Sequence, residues 1–185
     1  MFEGDHQMKK LILKNGDSVV IREASSSDAN EILEYVDTIS SESDFLTFGQ
    51  GEFIMSVEQE EEFLDNTSRQ SNGIYIVAEI GSKIIGTSSF SGGARPRISH
   101  TGEFGVSVLK EYWGNGIGTE LIKYLIEWSK QSGIIRKMNL IVRNDNLSAI
   151  HVYKKLGFIE EGVITRDLQI NGRFYDALFM GYTID

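Results

Sequence analysis

From Tyr112 to Thr119 the chain runs Tyr112-Trp113-Gly114-Asn115-Gly116-Ile117-Gly118-Thr119, alternating glycines between a β-rich run and a helical one. Successive backbone amides at a helix start, unobstructed by side chains, make a site for an anion such as a pyrophosphate. Two nucleotide-binding patterns fail here on named positions. A phosphate loop needs a lysine followed by Ser or Thr after its last glycine, and Thr119 and Glu120 stand there instead. A dinucleotide turn needs a third glycine where Thr119 lies. It also needs an acidic residue at the end of the next strand, Lys137 to Val142, which carries none. Glycines serving only a tight turn are the remaining alternative, and it leaves their alternation unexplained.

Other chemistry is narrowed by composition. The chain has no cysteine, which excludes a disulfide framework, a thiolate zinc site and a cysteine nucleophile. His6, His100 and His151 are far apart and form no metal-ligand spacing, so no metal is expected. The net charge of −9 disfavours nucleic acid and anionic membranes as partners and mildly favours a cationic substrate such as an amine. Much of that charge is simply solubilising, as in the run Glu58 to Glu62 on a solvated helix face. No apolar run is long enough for a bilayer core of ~30 Å, and no export signal is visible, so a cytoplasmic location is expected. Residues 1–8 read as a leader or tag remnant and 9–185 as a single domain, without repeats or an internal linker.

The elements that must position the turn follow from periodicity. Ser18 to Arg22 reads as a strand. A helix is expected from about Asp28 to Ile39, with Ile32, Val36 and Ile39 on one face and Ser27 or Asp28 as its cap. Ser56 with Gln59 forms a capping box that opens a second helix carrying Phe63 and Leu64. Ile74 to Ile80 and Lys83 to Phe90 flank Gly81-Ser82 as a hairpin. After a loop from Ser91 to Arg95 a strand is expected from about Ile98 to Leu109. Ile117, Leu121, Tyr124, Leu125 and Trp128 then recur at helical spacing, with Gly133 as the stop. Lys137 to Val142 is a further strand and Leu147 to Leu156 a fourth helix, ended by Gly157. Asn171-Gly172 predicts a type I′ hairpin between two final strands. Interleaved helices and hairpins make the fold α/β (α+β), with a sheet that cannot be purely parallel.

Two signatures in consecutive βα units carry a family resemblance. Trp113-Gly114-Asn115-Gly116-Ile117-Gly118 resembles the acetyl-CoA motif of the GNAT superfamily, Gln/Arg-x-x-Gly-x-Gly/Ala. Asn144-Asp145-Asn146-Leu147-Ser148-Ala149, followed by Tyr153 and Gly157-Phe158, resembles that family's second signature, Asn-x-x-Ala with Tyr and Gly-Phe. The tail, Asn-Gly and then Tyr175-Asp176-Ala177-Leu178-Phe179-Met180, is similar to branches that acetylate free amino acids or ribosomal-protein N-termini. The match runs from about Glu103 to Met180. Trp113 departs from it at the Gln/Arg position, and Lys110 stands where a proline is common.

The resemblance implies an acyl-CoA N-acyltransferase fold: a mixed, mostly antiparallel central sheet of about seven strands with about four helices. It implies a splayed pair formed by Ile98 to Leu109 and Lys137 to Val142, and acetyl-CoA as cosubstrate without a metal. A bulge near Gly105 to Ser107 would free the backbone of Val106 and Val108 for pantetheine and the acetyl carbonyl. Trp113, Gly114, Asn115, Gly116, Ile117, Gly118 and Thr119 would form the pyrophosphate turn. The implied activity is N-acetylation of a primary amine on an amino acid, a polyamine or an amine antibiotic. A protein N-terminus is the alternative acceptor, and a non-catalytic CoA-binding module the alternative function. Family members are often dimers, which suggests a homodimer, although no exposed stripe marks its interface.

Direct transfer needs a base to take a proton from the amine and an acid to protonate the leaving sulfur. Holding both substrates in attack geometry is worth roughly 7–11 kcal/mol. Tyr153 matches the family's general acid, with a core tyrosine on an apolar helix stripe as the alternative. Asn146 matches the pantetheine-binding position, and is equally a helix N-cap. Ser148 is a cofactor contact or a first-turn residue. Glu103 stands where relatives hold a base, and is otherwise a solvated strand carboxylate. Asp176 either orients the amine or satisfies backbone groups beside the C-terminal hairpin. The loop Ser40 to Met55, with Phe45 and Phe48, is expected to border the acceptor together with Ser91 to Arg95.

Overall fold

The computed structural model of the chain describes residues 8–185. Residues 1–7 of the expected leader therefore lie outside the described residues. Directly after them Lys9–Ile12 forms β1, a strand the sequence reading does not anticipate. It is short and half-exposed, and its register comes from pairing Lys9 to Ile12 against Ile21 to Ser18 of β2 (Ser18–Glu23) rather than from its own pattern.

The remaining elements are α1 (Ala29–Glu42), α2 (Val57–Ser68), β3 (Gly73–Ile80), β4 (Lys83–Gly92) and β5 (Thr101–Val108). They continue with α3 (Ile117–Gln131), β6 (Lys137–Arg143), α4 (Leu147–Lys155), β7 (Ile159–Ile170) and β8 (Arg173–Thr183). The eight strands form one sheet in the order β1-β2-β3-β4-β5-β6-β8-β7. Every neighbouring pair is antiparallel except β5 and β6. Period-two alternation sends the two sides of each strand to different cores. Phe104, Leu140 and Val142 join Leu121, Leu125, Ile150 and Tyr153 beneath α3 and α4. Val77 and Ile84 pack with Ile32, Tyr35, Val36, Ile39 and Leu64 beneath α1 and α2.

Local signals explain several boundaries. The Ser56–Gln59 box is reciprocal, with Gln59 N–H donating to Ser56 Oγ (3.3 Å) and Ser56 N–H to Gln59 Oε1 (2.9 Å). Asn171 and Gly172 both have positive φ, +50° and +79°, as a type I′ turn requires. At the start of α1 the Asp28 carboxylate serves other partners than helix amides: the Ser25 N–H (2.8 Å) and the Arg22 guanidinium. Arg22 spans Asp28 and Glu79 with paired bonds to each, tying β2, the entry to α1 and β3 together.

Two expectations about the central strand need correction. Ile98 to His100 are not strand. Ile98 N–H bonds the Arg95 carbonyl and Thr101 N–H the Ile98 carbonyl, so consecutive turns deliver the chain to β5 at Thr101. The bulge at Gly105 to Ser107 is also missing, because β4 and β5 keep one unbroken register from Gly86↔Val108 to Gly92↔Gly102. The strands part by a different route. β6 pairs with β5 only at Thr101↔Lys137, Gly102↔Met138 and Glu103↔Asn139, then follows β8 all the way to Arg143↔Ala177.

Candidate active site

The parting of β5 from β6 leaves a wedge whose lining follows from the register. Leu109 N–H bonds the Ile85 carbonyl, so Ser107, Gly105 and Glu103 also direct their backbone groups toward β4. Phe104, Val106 and Val108 therefore direct theirs toward β6, into the wedge. One of these groups is already used. The Trp113 indole Nε1–H turns back onto the Val108 carbonyl at 2.6 Å. Trp113, the residue in the Gln/Arg position of the motif, thus braces the strand end against the glycine turn.

The turn lies at the wedge's end. Gly114 and Gly116 have φ of +75° and +81°, and a Cβ on either would meet nothing within 4 Å. Backbone conformation, not crowding, therefore selects glycine there. Ile117 anchors the turn by burying its side chain in the core, so only its backbone faces outward. Asn115 Nδ2 donates to the carbonyls of Tyr112 and Trp113, at 3.1 and 3.3 Å, and stiffens the loop from within. The first intrahelical bond runs from Glu120 N–H to the Gly116 carbonyl (3.0 Å). The amides of Ile117, Gly118 and Thr119 thus have no partner inside the helix. Glu120 would repel an anion here, but Lys9 and Lys123 hold its carboxylate at 2.6 and 2.8 Å. Burial alone would raise that carboxyl, yet the two lysines bring it below its usual range. This cradle fits a pyrophosphate: positive-φ glycines, free amides and a neutralised acid.

Across the wedge, Asn146 caps α4, its Oδ1 accepting the Ala149 N–H at 3.2 Å, which leaves its amide hydrogens for another partner. Ser148 is exposed in the first turn. Tyr153 is buried against Phe104 and Phe158, with ring centroids 6.1 and 5.9 Å away. Burial alone pushes its hydroxyl up to about 12, and no hydrogen bond offsets it. Such a group stays protonated at neutral pH, as an acid must.

The opposite face of the wedge carries Glu103 and Ser107. Glu103 is exposed, as its solvated reading expected, yet partial desolvation raises its carboxyl, and the Asp167 carboxylate raises it further. Asp167 arrives there through the register shift between Ile164 and Leu168 in β7. Arg166 takes a φ of +56° at that shift, and its N–H donates to Asp176 Oδ1 at 2.9 Å. The Asp176 carbonyl accepts the Asn144 N–H as well (3.0 Å), so Asp176 satisfies backbone groups at the hairpin. Ser107 Oγ meets the Tyr35 hydroxyl at 2.8 Å and Thr87 Oγ1 at 3.4 Å. The two loop phenylalanines separate: Phe48 packs on Phe53 and the α1–α2 core, whereas Phe45 lies over the Arg143 guanidinium.

The structure thus brings together the glycine turn, Val106, Val108, Asn146, Tyr153, Glu103 and Phe45 around one wedge. Tyr35, Asp167 and Arg143 are also there, unforeseen from the sequence. Tyr35 sits beside an apolar stripe, where a tyrosine looks like core. Asp167 and Arg143 owe their positions to partners distant in the chain.

The model of the acetyltransferase (GNAT) family matches residues 37–158, and the chain belongs to that family. It is similar to the L-amino acid N-acetyltransferase AaaT of Escherichia coli, 33% identical over 105 residues, 57% of this chain. That match spans 65% of the relative's own length, just under two thirds. The L-methionine sulfoximine/L-methionine sulfone acetyltransferase of Pseudomonas aeruginosa is 27% identical over 91% of this chain and 96% of its own. Among solved structures, an acetyltransferase of the GNAT family from Streptococcus pneumoniae superposes with a TM-score of 0.88 at 35% identity. That superposition covers 90% of this chain and 99% of the other.

Proposed function

We propose that the protein transfers the acetyl group of acetyl-CoA to the nitrogen of a small primary amine, with free amino acids the leading acceptor class. The observation that carries this is the meeting, in one wedge, of an anion cradle and a strand edge with free backbone groups. Bound acetyl-CoA would supply the acetyl group as an activated thioester. The amides of residues 117–119 would hold its pyrophosphate, and Val106, Val108 and Asn146 its pantetheine arm. Glu103 is the base for the acceptor ammonium, directly or through one water. Tyr153 offers its proton to the departing sulfur. The amino-acid preference rests on similarity to the Escherichia coli and Pseudomonas aeruginosa enzymes and on the acidic Glu103–Asp167 side of the wedge, which attracts an ammonium group.

Calorimetric titration with acetyl-CoA, with NAD and ATP as controls, tests the donor. Thiol release across L-amino acids, L-methionine sulfone and spermidine tests the acceptor. Selective acetyl-CoA binding with turnover on amino acids is the expected result. Binding without turnover on any amine would indicate a CoA-binding module, and a folded protein that ignores acetyl-CoA would overturn the assignment.

A further inference from the structure

Arg143 ends β6, and because Leu140 and Val142 enter the α3–α4 core, its side chain crosses to the face that carries Glu103. There its guanidinium is enclosed, with the side chain only 9% exposed. Its carbon lies 4.3 Å from the Phe45 ring centroid and 4.2 Å from that of Tyr175. Nε and Nη2 donate to the two Asp145 oxygens at 2.6 and 3.1 Å, and Nη1 to the Asp44 carbonyl at 2.9 Å. One planar group thus joins the loop after α1, strand β8 and the loop before α4. The bond to Asp44 spans 99 residues of chain. Only an arginine can lie against two rings while forking onto a carboxylate.

The two ends of this clamp belong to different substrates. Asp145 directly precedes Asn146, the cap of α4 and the proposed pantetheine contact. Phe45 keeps 40% of its surface exposed beside the acceptor side of the wedge. We infer that Arg143 is a positioning residue that couples the two substrate sites: fixing residues 144–146 on the cofactor fixes Arg143, which in turn fixes Phe45 against the acceptor. The inference rests on the acetyl-CoA reading of the wedge, and its failure is separable from the failure of that reading.

Amide hydrogen exchange on the full chain, with and without coenzyme A as the probe, tests it. In the wild type coenzyme A should slow exchange at least tenfold both in the turn, 114–119, and in the loop, 43–50. In R143A and in R143K, which keeps the charge and the fold but loses the flat fork, protection of the turn should persist. Protection of the loop should fall to within twofold of the unliganded protein. Loop protection that survives in R143K, or a wild-type loop that ignores coenzyme A while the turn responds, would overturn the coupling. A wild-type turn that shows no protection at all would instead overturn the acetyl-CoA reading, and the coupling with it.

Discussion

Tyr153 of α4 meets Phe104 of β5 edge to face, with ring centroids 6.1 Å apart and planes at 81°. Phe104 is the first residue of β5 past its last pairing with β6 at Glu103↔Asn139. The tyrosine is therefore keyed to the point where the strands part, held there by aromatic packing and not by a hydrogen bond. Replacing it by phenylalanine keeps the ring and removes only the hydroxyl. Y153F is expected to lower kcat by roughly 10²–10⁴-fold, the range for a lost general acid. Acetyl-CoA affinity should stay within a few-fold, and urea denaturation should place the variant within about 1 kcal/mol of wild type. Steady-state turnover beside calorimetry checks the split.

The pH profile follows from two groups. In the proposed reaction Glu103 would work as the carboxylate, and its carboxyl titrates above the ordinary 4.5, so kcat should rise through a correspondingly elevated acid limb. As the proposed acid Tyr153 would work protonated, and it titrates near 12, so it should cause no loss through the neutral and mildly alkaline range. E103Q should remove the acid limb along with most of the activity. D167N should move the limb to lower pH, since it removes a neighbouring negative charge. A limb unmoved in D167N would mean that Asp167 does not act on the base.

Gly116 starts α3 in the left-handed region, at φ +81°. A Cβ there costs about 1–2 kcal/mol of backbone strain or forces the turn to rearrange, displacing the free amides. G116A should weaken acetyl-CoA binding at least tenfold by calorimetry. Gly162, in β7, has open space around its Cβ position and no positive φ, so G162A should bind as wild type does.

Away from the wedge, the Arg22 guanidinium holds Asp28 and Glu79 with both its edges. D28N leaves one edge half-satisfied and should cost about 1–3 kcal/mol in urea denaturation at pH 7. Burial alone would raise the Asp28 carboxyl, but the Arg22 and Ser25 bonds overrule it and set it below 3.8. A carboxyl lowered by folding stabilises above its unfolded value and loses that contribution as pH falls through the folded one. The gap between wild type and D28N should therefore close in acid, below about pH 4, when the same denaturation is repeated there.

Elements with strong local chemistry were legible in the sequence. The Ser56–Gln59 box, the Asn171-Gly172 turn and the helical stripe from Ile117 to Trp128 each specify their own conformation within a few residues. The glycine turn was legible for the same reason. The parting of β5 from β6 was not visible as it occurs, because β6 leaves by pairing with β8, some forty residues further on in the chain, and no residue of β5 records that choice. The expected bulge was a local explanation for a non-local event. Arg143 was invisible in the same way, since its type is evident but its partners at Asp44, Phe45 and Tyr175 are set by the fold. Asn146 is the cap that one of its two readings required, and its spare amide hydrogens leave the other open. Tyr153 likewise joins two readings: its ring is core, while its hydroxyl has no partner among the described residues.

The seam between β5 and β6 has three residue pairs, against seven for β4–β5 and seven for β6–β8. The sheet is in effect two plates, one of β1 to β5 and one of β6, β8 and β7, joined by a short weld. A molecule that enters the gap and bonds to both plates takes the place of the missing ladder and becomes part of the framework. At a hundred times its dissociation constant such a ligand adds about 2.7 kcal/mol to the folded state. If acetyl-CoA is that molecule, as proposed, its concentration would set the firmness of the protein as well as its rate, and the unliganded protein would be the softer of its two forms.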